Sequence, residues 1–158
     1  MKLALLAVGR GMPPPIRELV GEYGERLNRY GGFSLLEVAE FRGERSTESD
    51  RARALAWEGE RLRGRIPAGA MTVALEIGGT SLSSPGLADR LGAWRDDGVS
   101  EICFLIGGPD GLLPELVTSA RFRLSLGPMT LPHMLARVVL TEQLYRAMTI
   151  LHRVPYHR

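Results

Sequence analysis

Unbroken apolar runs alternate along the chain with stretches in which apolar residues return every three or four positions. "KLALLAV" (2–8) ends at Gly9 and has the pattern of a strand covered on both faces. From Ile16, the residues Leu19, Val20, Tyr23, Leu27 and Tyr30 recur at helical spacing, with Pro13 to Pro15 at the entrance and Gly31-Gly32 beyond the exit. "FSLLEVA" (33–39) is the second strand. A polar loop, "FRGERSTES", then leads into a helix with Ala52, Leu55, Ala56, Gly59 and Leu62 on one face. "MTVALEI" (71–77) is the third strand. Ser84-Pro85 supplies an N-cap and a first-turn proline for a helix carrying Leu87, Leu91 and Trp94. "EICFLI" (101–106) is the fourth strand, "GGPDG" a turn and 112–121 a short helix. "FRLSL" (122–126) is the fifth strand, and "GPMTLP" a loop. The longest helical pattern runs from Pro132 to about Leu151, with Leu135, Val138, Val139, Tyr145 and Met148 on its apolar face. Strands alternating with helices predict an α/β fold, a mainly parallel sheet with helices on both faces.

No repeat or linker interrupts this order, so residues 1–158 read as a single domain, long enough to bury roughly 70% of its unfolded surface. No apolar run approaches the ~20 residues of a membrane span. The N-terminal "MKLALLAVG" lacks a small-residue cleavage site and reads as a strand, so the expectation is a soluble, cytoplasmic protein. The single cysteine, Cys103, lies inside an apolar run, which excludes an internal disulfide and a thiolate metal cluster and leaves it as core filler.

Charge is distributed unevenly. The formal net charge is +2, but residues 121–158 hold six arginines against one acid, Glu142, and also all three histidines. Two readings follow: the arginines solvate a helix face, or a phosphate-rich partner approaches the C-terminal end. The seven arginines between 42 and 65 face five acids, the balance of a solvated surface. His152 and His157 are five apart with no cysteine or HExxH nearby, so no metal site is expected. "IGGPDG" does not match G-x-G-x-x-G, no P-loop occurs, and "GTSLS" lacks the closing glycine of a nucleophile elbow. Ligands of open parallel sheets bind beyond the carboxyl ends of the strands, which directs attention to the loops after Leu75, Ile106 and Leu126.

At those loops the sequence becomes specific. "FLIGGPDGL" (104–112), followed by "LSLGPMTLPHMLARVVLTEQLYRAMTILHRVPYHR" (124–158), resembles the RlmH family along the whole chain, as do "MKLALLAVG" and "VALEIGGTSLSSPGLA" (73–88). That resemblance implies a small homodimeric methyltransferase of the SPOUT superfamily, with a C-terminal trefoil knot. It further implies S-adenosylmethionine as methyl donor, no metal, and N3 of a pseudouridine in 23S ribosomal RNA, within the ribosome, as acceptor. Two departures stand out: many members carry lysine where this chain has Thr80, and Gly127-Pro128 replaces varied small or polar residues.

By resemblance, the donor lies against Leu75, Gly108 and the run Leu126, Gly127, Pro128, Met129, Thr130 and Leu131. Such a loop of Gly, Pro and apolar residues offers backbone groups to adenine without competing side chains. The terminal Tyr156, His157 and Arg158 match residues associated with catalysis and RNA contact. N3 of pseudouridine must lose a proton flanked by two carbonyls before it attacks a sulfonium methyl, and histidine, with an unperturbed pKa of ~6.5, suits that task. His157 is therefore the expected proton acceptor or positioning group. Arg158 would hold a phosphate or carbonyl oxygen, and Tyr156 would stack on a base or hydrogen-bond to it. His133, at a helix N-terminus, reads as a neutral hydrogen-bonding residue, and Arg137 and Arg146 as facing RNA or a second subunit. Two rival readings are a non-catalytic RNA-binding module of the same fold and a flavodoxin-like nucleotide-binding domain.

Overall fold

The computed structural model describes residues 1–158. Five strands, β1 (Lys2–Val8), β2 (Phe33–Val38), β3 (Met71–Ser81), β4 (Glu101–Ile106) and β5 (Phe122–Ser125), form one sheet in the order β2-β1-β4-β3-β5, and every pairing is parallel. The central strands β1 and β4 are the most apolar runs because both their faces are covered. Leu3, Leu5 and Ala7 join Ile102, Phe104 and Ile106 on one face, and Ala4, Leu6 and Val8 join Cys103 and Leu105 on the other.

The helices divide between those faces as parallel crossovers require. Helices α1 (Pro14–Leu27), α3 (Ser84–Asp96) and α5 (His133–Leu151) cover the first face, and α2 (Glu48–Arg63) and α4 (Pro114–Ser119) the second. No helix is long and apolar enough to cross a membrane. Burial pushes the Cys103 thiol up to about 12, so it stays an inert part of the core.

Several boundaries differ from the sequence expectation for identifiable reasons. Helix α2 starts at Glu48 because Thr47 and Asp50 form a reciprocal capping box, with Asp50 in the place usually taken by Glu or Gln. The N-cap of α3 is Ser83, which accepts from Gly86 N–H, while Ser84 Oγ donates to Gln143 Oε1 of α5 at 2.6 Å. Helix α1 begins at Pro14 and ends in a 3-10 turn, Asn28–Tyr30. The short helix narrows to Pro114–Ser119, and β5 stops at Ser125, one residue before Leu126.

The third strand is longer than expected and interrupted. Leu124 pairs with Leu75 and again with Thr80, so residues 76–79 leave the ladder as an excursion and return. Gly79 makes this possible, since a Cβ there would lie 2.8 Å from the Arg123 carbonyl carbon.

The face of α5 is corrected as well. Leu135 and Val139 are exposed, while Arg137, Leu140, Thr141, Leu144, Ala147 and Met148 are buried. This helix is apolar nearly all round, so periodicity alone does not say which side meets the sheet. The arginine expected to face RNA or a second subunit is fully buried. Arg137 Nη1 donates to Glu37 Oε1 at 2.6 Å, and Nη2 donates to the carbonyls of Val8 and Gly9 at 2.6 and 2.8 Å.

Candidate methyl-donor cleft

The 76–79 excursion of β3 and the loops that follow β4 and β5 converge with the first turn of α5. Between them lies a cleft enclosing about 160 Å3 and opening to solvent. Seven of the eight residues singled out from the sequence line it: Leu75, Gly108, Leu126, Gly127, Met129, Thr130 and Leu131. Pro128 stands outside the lining. Sequence reasoning did not single out Glu76, Ile77, Leu124 and Ala136, which also face it, and it gave His133 no place in a cleft.

Each wall is held by a specific device. Ser125 Oγ lies 3.0 Å from the Ile77 carbonyl and accepts from Gly127 N–H at 3.1 Å, tying the 76–79 excursion to the loop after β5. In "GGPDG", Gly111 N–H donates to the Gly108 carbonyl at 3.0 Å, closing a tight turn. A Cβ on Gly107 would sit 2.1 Å from the Gly111 carbonyl oxygen. Gly107→Ala is therefore expected to open this turn and weaken binding of S-adenosylmethionine, the donor that the sequence resemblance implies, by at least about tenfold, read by calorimetric titration; the clash is with backbone, which cannot swing aside.

Beneath the same turn, Arg45 joins the carboxylates of Asp110 and Glu58. Glu58 is only 2% exposed and also accepts from Phe41 N–H at 2.9 Å. These charges are therefore not all solvated, as their balance suggested; one cluster fastens the turn to the loop before α2. A signal did exist: Glu58 falls four residues from both Ala54 and Leu62, which are buried on the same side of the helix.

Two side chains lining the cleft each carry a polar atom without a partner. Glu76 Oε2 and His133 Nε2 are buried and make no hydrogen bond. Desolvation first, then the charge of Arg137, lowers the His133 pKa from its ordinary value, so the ring is neutral at pH 7. The neutral state agrees with the sequence expectation for His133, but its ring makes no hydrogen bond within the chain. No three His, Cys, Asp or Glu side chains come together anywhere in the chain.

The tail does not reach this cleft within one chain. After α5 it turns back at Arg153, whose φ is +54°, and packs against the outer flank of the same helix. Tyr156 OH donates to Glu142 Oε1 at 2.9 Å, its ring meets Tyr145 edge-on at 4.8 Å, and the Arg146 guanidinium lies 4.7 Å from the ring centre. Desolvation, followed by hydrogen bonds with Tyr23 and Glu142, pushes the Tyr156 phenol well above its ordinary range, so it remains a donor. His157 Nδ1 is 3.4 Å from Arg146 Nη1, and both His157 and Arg158 are exposed. Glu142 and Arg146 lie nine and thirteen residues beyond His133, roughly 14–20 Å along the helix axis.

A family model described as "Predicted SPOUT methyltransferase" matches residues 1–157. The chain belongs to the SPOUT methyltransferases. A ribosomal RNA large subunit methyltransferase H from Magnetococcus marinus is 45% identical over 160 residues, covering 99% of each chain. Another, from Neisseria meningitidis, is 42% identical over 158 residues and covers 100% of this chain and 99% of its own. The solved structure of a probable methylase family protein from Haemophilus influenzae overlays with a TM-score of 0.53 at 12% identity, covering 99% of this chain and 70% of that one; it shows the shared fold. In this RlmH-family enzyme the cleft lies where open parallel sheets hold ligands, outside the carboxyl ends of the strands.

The C-terminal arginines of this SPOUT methyltransferase do not form one patch. Arg121 and Arg123 flank or lie on the edge strand β5, Arg137 is buried, and Arg146 pairs with Glu142 at 2.5 Å. Arg153 and Arg158 are exposed in the tail, so the positive charge of this stretch is divided between β5, the interior and the tail.

Proposed function

We propose that this chain, as a homodimer in the cytoplasm, transfers a methyl group from S-adenosylmethionine to N3 of a pseudouridine in 23S ribosomal RNA within the assembled ribosome. The observation that carries the reading is the convergence of Leu75, Gly108 and residues 126–131, Pro128 excepted, on one cleft in a chain of the RlmH family. The cleft suits the donor: it combines apolar walls from Leu75, Ile106, Leu126 and Leu131 with glycine backbone, and it carries an unpartnered carboxylate oxygen for a ligand donor. Bound there, S-adenosylmethionine would supply an electrophilic methyl on a sulfonium. Family membership supports the C-terminal trefoil knot, which belongs to the same proposal.

The chain's own residues divide the remaining tasks. Tyr156, held by Glu142, Tyr145 and Arg146, anchors the tail rather than stacking on a base, and it leaves His157 and Arg158 free. His157 accepts the N3 proton or positions the base, and Arg158 holds an oxygen on which negative charge develops. Because the tail lies away from its own cleft, a second copy brings it to the site. Ile77 and Met129 at the cleft, with Val139 lining the adjoining groove and Leu135 one turn before it on α5, are exposed apolar residues suited to that contact.

The test is transfer of labelled methyl from S-adenosylmethionine to ribosomes lacking the modification, beside free large-subunit RNA and ribosomes with uridine at the target. Label on ribosomes alone, mapped to N3 of the pseudouridine, is the expected result. Donor binding without label on any substrate would instead assign the chain a non-catalytic RNA-binding role.

A further inference from the structure

Glu76 is the one acidic residue lining the cleft, and the protein gives its carboxylate no cation. No arginine, lysine or histidine forms an ion pair with it, and Oε2 is buried without a hydrogen bond. The only other titratable side chain in the lining, His133, is held neutral at pH 7 by desolvation and by Arg137. A half-buried carboxylate with one oxygen shut from water and no cation beside it lacks the partner that such groups usually have in native folds, and in an open cleft a ligand can supply it.

The backbone that carries Glu76 is held in place. Glu76 opens the 76–79 excursion, where β3 leaves the ladder between Leu75 and Thr80, and the Ser125 contact to the Ile77 carbonyl fixes the next residue. A Cβ on Gly78 would lie 3.2 Å from Glu76 Oε1, so the glycine leaves room for the carboxylate beside the backbone.

Resting on the donor reading above, we propose that Glu76 is the acceptor for the α-ammonium group of S-adenosylmethionine and thereby orients the methionine arm of the donor. A ligand group that brings both a positive charge and N–H donors offsets this carboxylate best. The sulfonium has charge but no hydrogen to donate, and the ribose hydroxyls and adenine amine donate but are neutral. The α-ammonium alone offers both, and charge-assisted hydrogen bonds are the stronger kind.

The test compares three ligands by calorimetric titration on the wild-type chain and on Glu76→Gln: S-adenosylmethionine, S-adenosylhomocysteine and 5′-methylthioadenosine, which lacks the amino-acid end. Wild-type protein should bind S-adenosylhomocysteine at least about tenfold more tightly than methylthioadenosine, and the variant should lose about ten- to a hundredfold for the two amino-acid ligands with methylthioadenosine unchanged. A melting temperature that does not fall would show the variant folded, as removal of an uncompensated charge predicts. Equal loss for all three ligands would place Glu76 on the nucleoside, and loss confined to S-adenosylmethionine would place it on the sulfonium; either overturns the proposal. Equal wild-type affinity for S-adenosylhomocysteine and methylthioadenosine overturns it without any variant. Failure of the wild-type chain to bind all three would overturn the donor reading itself.

Discussion

Replacing His157 by alanine is expected to lower single-turnover methyl transfer by about 10²–10³-fold, the usual range for a lost proton acceptor, while leaving donor affinity unchanged. The structure separates the two readouts. His157 is exposed, its one polar contact is the 3.4 Å approach to Arg146, and it lies outside the donor cleft. Within one chain its loss therefore removes neither packing nor a contact in the cleft. The measurement pairs single-turnover transfer on ribosomes with titration of S-adenosylhomocysteine, since chemistry and binding are then read independently. Parallel losses in both would reassign His157 to holding the fold or the donor, and an unchanged rate would remove it from the chemistry. Mixed dimers add a geometric test of tail exchange. One subunit carrying His157→Ala and the other Gly107→Ala should retain one working site only if each tail serves its partner's cleft.

Substituting Arg137 by methionine should destabilise the chain by about 3–5 kcal/mol, because it leaves Glu37 without its cation and two carbonyls without their donor. The lower end applies, since the Glu37 side chain is 25% exposed and water recovers part of the loss. For a chain of this length, about 3 kcal/mol corresponds to a fall of roughly 6–12 °C in melting temperature. Thermal unfolding of the ligand-free protein measures it. Glu37→Gln, which keeps an acceptor near Nη1, should cost less. An unchanged melting temperature together with weakened RNA binding would restore the surface role that the sequence suggested for Arg137.

The consequence of Arg137 extends to the cleft. Its guanidinium spans from α5 to the carboxyl end of β1, and it helps hold His133, one turn earlier, in the neutral form. One buried cation thus fixes the entry of α5 beside the loops that line the cleft. It also sets the charge state of a side chain lining the same cleft.

Much of this was legible in the chain before folding. The runs 2–8 and 101–106 announce central strands because a strand covered on both faces has no need to alternate. The order of elements follows from switching between period 2 and period 3.6. The loops after Leu75, Ile106 and Leu126 were found by combining that order with the place where parallel sheets take ligands. Motifs such as "IGGPDG" and "TLPH" named the family.

Tertiary structure alone decided the rest. Which side of α5 meets the sheet is undetermined by a helix that is apolar nearly all round, and the answer reversed the roles of Leu135, Val139 and Arg137. Arg137 and Glu37 are a hundred residues apart, and Arg45 and Asp110 sixty-five, so neither pair leaves any local periodic signal. The excursion at 76–79 depends on β5 pairing twice with β3 through Leu124. It is this long-range pairing that sets Glu76 beside the cleft. Local sequence determined the elements and their order, because hydrophobic periodicity acts over a few residues. The placement of the charges was decided by contacts between distant segments, where burial and pairing depend on which surfaces meet.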